Sequence, residues 1–182
     1  MGLTGMDAIM ENVLTSLATY DAHHTMGNIS GNHDQIRFAS IAGGAIDIHS
    51  QGKEEGWTQE VGIGEAETAY RRSLMLEALN MTLPGVPCIY QGDEYAEVGG
   101  NDPDNRHLMR FDGLSEDELQ VREQIASFAS SRRRSMPLLY GDFIPVVSEP
   151  DFIIFKRIYL GEVVTVTIDR KKLSFDIVYS KL

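Results

Sequence analysis

The 182-residue chain has a single cysteine, Cys88, and is short of basic residues: 16 Lys and Arg stand against 27 Asp and Glu, for a net charge of −11. One thiol excludes an internal disulfide framework and any metal centre built on several thiolates. Cys88 lies in the apolar run Val86-Pro87-Cys88-Ile89-Tyr90, where it reads as a small buried hydrophobe rather than a reactive thiol. A field of negative sign repels phosphate backbones and anionic lipid, so nucleic acid and membrane surfaces are not expected partners, whereas a neutral sugar is not repelled. No stretch approaches the roughly 18 uninterrupted apolar residues of a spanning helix. The opening residues, Met1 to Met6, show neither the basic region nor the apolar core of a signal peptide.

What is present is globular in composition, with 42% hydrophobic and 24% charged residues. Met6, Ile9, Met10, Val13, Leu14 and Leu17 recur at helical spacing over residues 6–19. Residues 25–29 read as a short strand ending in the polar cluster Ser30-Gly31-Asn32-His33-Asp34, and 42–64, rich in glycine, as a long irregular excursion. A second helix is expected over about 65–81, with Ala66, Ala69, Tyr70, Leu74, Ala78 and Met81 on one side, stopped by Pro84-Gly85. Residues 87–90 read as a buried strand, the expected neighbour of the first, followed by a polar loop to Phe111. Ser115 and Glu118 form a capping box that opens a third helix with Val121, Ile125 and Phe128 inward. Arg132, Arg133 and Arg134 close it and complement its dipole.

Beyond Pro137, residues 152–158, 163–168 and 175–179 are β-branched or aromatic runs. Alternating helices and strands followed by strands alone predict an α/β portion over residues 1–135 and a small antiparallel β-domain over 136–182. Both strands of the first portion end in polar clusters, Asn32-His33-Asp34 and Gly92-Asp93-Glu94. Sites in parallel α/β folds lie at such strand ends. As a bare tripeptide, Asn-His-Asp is explained equally well by a turn or a helix cap.

The combination of motifs is more specific. Met26-Gly27-Asn28-Ile29-Ser30-Gly31-Asn32-His33-Asp34, then Leu83-Pro84-Gly85-Val86-Pro87-Cys88-Ile89-Tyr90-Gln91-Gly92-Asp93-Glu94, resembles the α-amylase family of glycoside hydrolases. The next run, Gly99-Gly100-Asn101-Asp102-Pro103-Asp104-Asn105-Arg106, resembles the loop after the eighth barrel strand in many members that act on α-glucans. Arg133, Pro137-Leu138-Leu139 and Tyr140-Gly141-Asp142-Phe143 resemble the passage from the last barrel helix into that family's C-terminal β-domain. The resemblance covers about residues 7–170. It implies the C-terminal part of a (β/α)8 TIM barrel, about strands seven and eight with helices six to eight, followed by the antiparallel domain.

Carried over residue by residue, the resemblance assigns Asp34 as the catalytic carboxylate that binds sugar hydroxyls at the cleaved unit and supports an oxocarbenium-like transition state. His33 would bond the same unit, Asn32 would hold the turn, and Asp102 and Arg106 would contact glucose units further along. The implied partner is an α-glucan or malto-oligosaccharide. No cofactor or metal is implied for this chain, although calcium is open for the parent protein, and Asp102, Asp104 and Asn105 offer oxygen ligands.

Retaining glycosidases also need a carboxylate nucleophile and an acid/base about 5–5.5 Å apart. In this family these stand in Gly-x-Arg-x-Asp and Gly-Glu settings after earlier strands, and neither pattern occurs here in a suitable context. Gly64-Glu65 is the near-match, at a helix start. The expectation is therefore a fragment of a retaining α-glucan-active enzyme that is inactive alone. The alternatives are a non-catalytic module with residual oligosaccharide binding, or an unrelated α/β interaction domain, which would scatter the five assigned residues over different faces. Trp57 reads equally as a sugar-stacking aromatic or as a core or loop anchor. His23-His24 reads as a surface turn, and His107 as a rim residue.

Overall fold

The computed structural model describes residues 4–20 and 26–182, so His23 and His24 lie outside the described residues. Helix α1 (Asp7–Tyr20) forms where the apolar spacing predicts it, with Asp7 in its first turn complementing the helix dipole. Its apolar stripe is covered unevenly: Met6 and Met10 are buried, Ile9, Val13 and Leu17 half-buried, and Leu14 exposed. Met6 N donates to the Pro150 carbonyl at 2.9 Å, which fixes the helix entry.

Strands β1 (Gly27–Ile29) and β2 (Val86–Cys88) pair in a two-stranded sheet. Val86 N donates to the Met26 carbonyl at 2.8 Å, and the Asn28 amide to the Pro84 carbonyl at 3.0 Å. The expected burial of this second strand is not met. Pro87, Cys88, Ile89 and Tyr90 are each half-buried, and Val86 before them is exposed, as is Ile29 of β1. Apolar, β-branched residues suffice to favour extended backbone, but burial needs a layer over each face, and that is a tertiary matter.

Between the two strands run α2 (Phe38–Ala42), α3 (Lys53–Thr58) and α4 (Ala66–Thr82). The stretch expected to be irregular thus contains α3. Gly52, at φ 67°, turns the chain into it, Glu54 and Glu55 sit in its first turn, and Ser50 Oγ accepts from Gly52 N at 3.0 Å. In α4, Ala69, Ala78 and Met81 are buried as the spacing predicts, but so are Ser73 and Glu77. Ser30 Oγ donates to the Glu77 carboxylate at 3.1 Å.

Helix α5 (Glu116–Arg134) opens on the expected capping box: Ser115 Oγ accepts from Glu118 N at 3.2 Å, and the Glu118 carboxylate accepts from Ser115 N at 2.7 Å. Val121, Ile125 and Phe128 are buried as predicted. Its closing arginines do more than complement a dipole. Arg132 is buried and donates to the carbonyls of Met81 (2.7 Å), Leu83 (3.1 Å) and Gly85 (2.5 Å), which the end of α4 leaves without helical partners.

After α6 (Met136–Tyr140), capped by Ser135, come β3 (Asp142–Ser148), β4 (Phe152–Tyr159), β5 (Glu162–Asp169) and β6 (Ser174–Lys181). They form an antiparallel meander in the order β3-β4-β5-β6. Inward positions alternate along β4 as Ile153, Phe155 and Arg157, and along β5 as Val164, Val166 and Ile168. Leu160 and Gly161, both with positive φ, make the tight turn from β4 to β5. Arg157 occupies a core position because its guanidinium finds carbonyls there, Gly141 at 3.0 Å and Thr82 at 2.8 Å. Burial and the nearby Arg132 charge push its pKa down to about 10.

The chain forms two compact units. One gathers residues 78–87 and 129–182 with the described part of 1–28; the other comprises 29–77 and 88–128. All five assigned site residues belong to the second.

Candidate functional site

The site begins with a turn that the sequence itself encodes. Asn32 Oδ1 accepts from Asp34 N at 2.8 Å, closing an Asx turn directly after β1. This leaves the side chains of His33 and Asp34 60% and 69% exposed, with His33 Nε2 3.3 Å from an Asp34 oxygen. A second turn forms from Asn101 to Arg106. Asn101 Oδ1 accepts from Asp102 N at 2.7 Å, Asp104 accepts from Gly100 N at 2.5 Å, and Asp104–Arg106 complete a turn of 3-10 helix.

Arg106 ties the two turns together. Its Nε lies 2.7 Å from the Asp102 carboxylate and 3.4 Å from the His33 carbonyl, and another guanidinium nitrogen lies 3.5 Å from Asp34. His33, Asp34, Asp102 and Arg106 therefore share one face, with Asn32 beneath them, rather than scattering as an unrelated interaction domain would have them. These ion pairs are half-exposed, and such pairs contribute roughly 0–1 kcal/mol. A ligand hydroxyl can replace a carboxylate on Arg106 at small cost.

Beneath the exposed face lies a buried support that sequence reasoning passed over. Asn105, weighed only as a calcium ligand, is fully buried, and its Nδ2 donates to the carbonyls of Gln35 (2.6 Å) and Asn32 (3.3 Å). Asp102, Asp104 and Asn105 serve different partners: Arg106, then Gly100 N with His107, then the Asn32–Gln35 backbone. His107 is half-exposed, as a rim residue should be, with Nε2 3.2 Å from Asp104.

Arg37 is the other omission. It is buried, donates to the Gln91 carbonyl at 2.6 Å and to Asp93 at 3.2 Å, and its guanidinium lies 4.3 Å from the centre of the Tyr90 ring. Its own backbone N–H donates to the Gly99 carbonyl at 3.2 Å. A lone arginine between Ile36 and Phe38 is the signal that could have marked it: a charge flanked by apolar residues enters a core only with partners waiting. Asp93 is pressed against Gly31, where a Cβ would collide with its carboxylate. Burial pushes the Asp93 pKa up to about 6, against the opposing pull of Arg37.

Glu65, the near-match to a catalytic acid, has a plainer task. Its carboxylate accepts from Thr68 N at 3.1 Å and caps α4, and hydrogen bonding to the Thr68 side chain, then to its backbone N–H, holds its pKa below the usual carboxylate range. Trp57 stands exposed on α3 and is no core anchor.

No protein-family model matches the chain. It is 26% identical over 145 residues to a cyclomaltodextrinase of Geobacillus thermopakistaniensis, an alignment covering 79% of this chain and 20% of that protein. It is 28% identical over 147 residues to a cyclomaltodextrinase of Thermoanaerobacter pseudethanolicus, covering 81% and 21%. The chain thus spans about one fifth of the length of these relatives. Among solved structures, an Anoxybacillus α-amylase superposes with a TM-score of 0.71 at 23% identity, over 92% of this chain and 32% of that one. A cyclic α-maltosyl-(1→6)-maltose hydrolase from Arthrobacter globiformis gives 0.72 at 19% identity, over 98% and 40%. In sequence the chain is similar to cyclomaltodextrinases, and in fold it is similar to solved enzymes of the α-amylase family.

Proposed function

We propose that this chain is the portion of a retaining α-glucan-active glycoside hydrolase that grips and orients the sugar at the point of cleavage. In this reading β1 and β2 are the seventh and eighth strands of a (β/α)8 barrel, and β3–β6 belong to its C-terminal β-domain. The observation that carries the reading is the meeting of His33, Asp34, Asp102 and Arg106 on one face. A carboxylate accepting two sugar hydroxyls, an imidazole beside it and a guanidinium clamped between two carboxylates suit a neutral polyol. Asp34 adds negative charge where an oxocarbenium-like transition state develops positive charge. The names of the relatives support an α-glucan substrate, and one solved relative, an α-amylase from Geobacillus thermoleovorans, is complexed with acarbose.

Orientation alone does not break a glycosidic bond. Something must attack the anomeric carbon and something must protonate the leaving oxygen. The 182 residues hold neither of the family's two motifs for those groups, so the isolated chain is expected to bind oligosaccharide weakly and to hydrolyse none. A reducing-sugar assay with starch, maltodextrin and pullulan, paired with a maltohexaose titration, tests both halves. Turnover that disappears in Asp34→Asn would mean that other carboxylates substitute here. Absence of any binding would remove the sugar-cleft reading.

A further inference from the structure

Trp57 is the one tryptophan of the sequence, and it is 73% exposed. Its surroundings on α3 are polar: Lys53, Glu54, Thr58 and Gln59 are exposed as well, so the indole is not part of a larger apolar patch on that helix. Its position is nevertheless fixed, because α3 is fastened to the turn that bears Asp102 and Arg106. Asn101 N donates to the Gly52 carbonyl at 2.9 Å, and the Asn101 amide to the Gln51 carbonyl at 3.0 Å. Gly56, the residue before Trp57, sits so close to the turn that a Cβ on it would lie 2.7 Å from Asp104 Cβ. A Cβ on Gly100 would in turn lie 3.1 Å from the Gly56 backbone. Two glycines thus remove the side chains that would hold helix and turn apart, and the adjoining residue on the helix is a flat, exposed aromatic.

An indole offers an apolar face with one N–H at its edge, a combination suited to a ligand that is itself apolar on one face and wet at its rim. A glucose ring is such a ligand: its axial C–H bonds make an apolar face, and its hydroxyls lie around the edge. We propose that Trp57 is a stacking platform for glucose units of an α-glucan that run past Asp102 and Arg106. This rests on the sugar-cleft reading above and extends it from the cleaved unit to the chain beyond. The platform works by area, so it discriminates by length: a long oligosaccharide reaches it, whereas a disaccharide held at Asp34 does not.

The single tryptophan makes the test direct, since all indole emission from the 182-residue chain comes from Trp57. Maltohexaose and maltose are titrated while Trp57 fluorescence and the His33 ring resonances are followed together. The expected result is that maltohexaose shifts Trp57 emission and the His33 resonances with the same dissociation constant, and that maltose moves His33 alone. Trp57→Ala should then weaken maltohexaose about tenfold and maltose less than twofold, with Trp57→Phe in between. Because the indole is exposed, the melting temperature of both variants should stay unchanged. Movement of His33 without Trp57 overturns the platform and spares the cleft. Movement of Trp57 without His33 overturns the platform as part of this cleft. Silence of both overturns the cleft reading and the platform with it.

Discussion

Asn105 lies wholly out of solvent and gives a hydrogen of its side-chain amide to the carbonyl of Gln35 at 2.6 Å, 70 residues away in the chain. Its other contact, to the Asn32 carbonyl at 3.3 Å, means that one amide brackets the turn carrying His33 and Asp34. The exposed pair keeps its place because a buried amide holds the backbone on both sides of it. Asn105→Ala takes a donor from two carbonyls; Gln35 is exposed, and half-buried Asn32 still accepts from Gln35 N at 3.4 Å, so each lost bond costs roughly 0.5–1.5 kcal/mol. We expect about 1–3 kcal/mol less stability by urea denaturation, and faster amide exchange at residues 32–35. Asn105→Asp should destabilise more at pH 7 than at pH 3, since an ionised carboxylate would face two carbonyl oxygens. Stability within about 0.5 kcal/mol of the parent would remove the bracket.

Asp93 makes the fold sensitive to mild acid in an unusual direction. Its pKa is about 6 in the folded chain against the ordinary 3.8, so between these values the folded state binds more protons than the unfolded state. Stability from this group is therefore full below about pH 4 and falls as pH rises through about 6, by an amount on the order of 3 kcal/mol. Asp93→Asn keeps an acceptor for Arg37 and cannot titrate. The difference in unfolding free energy between parent and variant should change across pH 4–6 and be flat above 7; a difference independent of pH would refute the assignment.

Arg132 supplies the donors for three carbonyls near the end of α4. Replacing it with methionine keeps much of the apolar stem and removes every donor. A loss of about 3–5 kcal/mol is expected, measured as a fall in denaturation midpoint. Arg132→Lys should recover only part of it, because one ammonium cannot span three carbonyls from a single stem. Full recovery by lysine would show that charge, not the guanidinium fork, matters there.

In a protein that joins this chain to a nucleophile and an acid/base, Asp34→Asn should lower kcat by orders of magnitude with the melting temperature unchanged. Asp34 is exposed and its ion pair with Arg106 is long, so little stability rests on it. Arg106→Ala, by contrast, should raise KM more than it lowers kcat if, as proposed above, it contacts sugar away from the cleaved bond. An Asp34→Asn enzyme with near-normal kcat would take Asp34 out of the catalytic set.

Met26 and Val86, joined by a backbone hydrogen bond, are 45% and 51% exposed. Apolar residues left in water along a short strand pair favour association even at a net charge of −11. Size-exclusion chromatography of the 182-residue chain should show self-association that rises with concentration and falls in Val86→Lys. A monomer at all concentrations would contradict this.

The sequence by itself determined whatever depends on near neighbours. The capping box of Ser115 and Glu118, the turn at Asn32 and the β-branched and aromatic runs of β4 and β5 are local chemistry, legible in the sequence, and the motifs around Asn32–Asp34 and Asp102–Arg106 singled out residues that the fold brings onto one face. Only the tertiary structure decided what fills the space behind them. Asn105 and Arg37 look like ordinary loop polar residues until carbonyls from 32, 35 and 91 converge on them, and Arg157 looks like a solvent-facing strand residue until Gly141 and Thr82 turn their carbonyls inward. Burial of a charge or an amide is settled by partners distant in sequence, because its cost is met only by hydrogen bonds the fold brings to it. The same reason left residues 87–90 half-buried where composition alone predicted a buried strand.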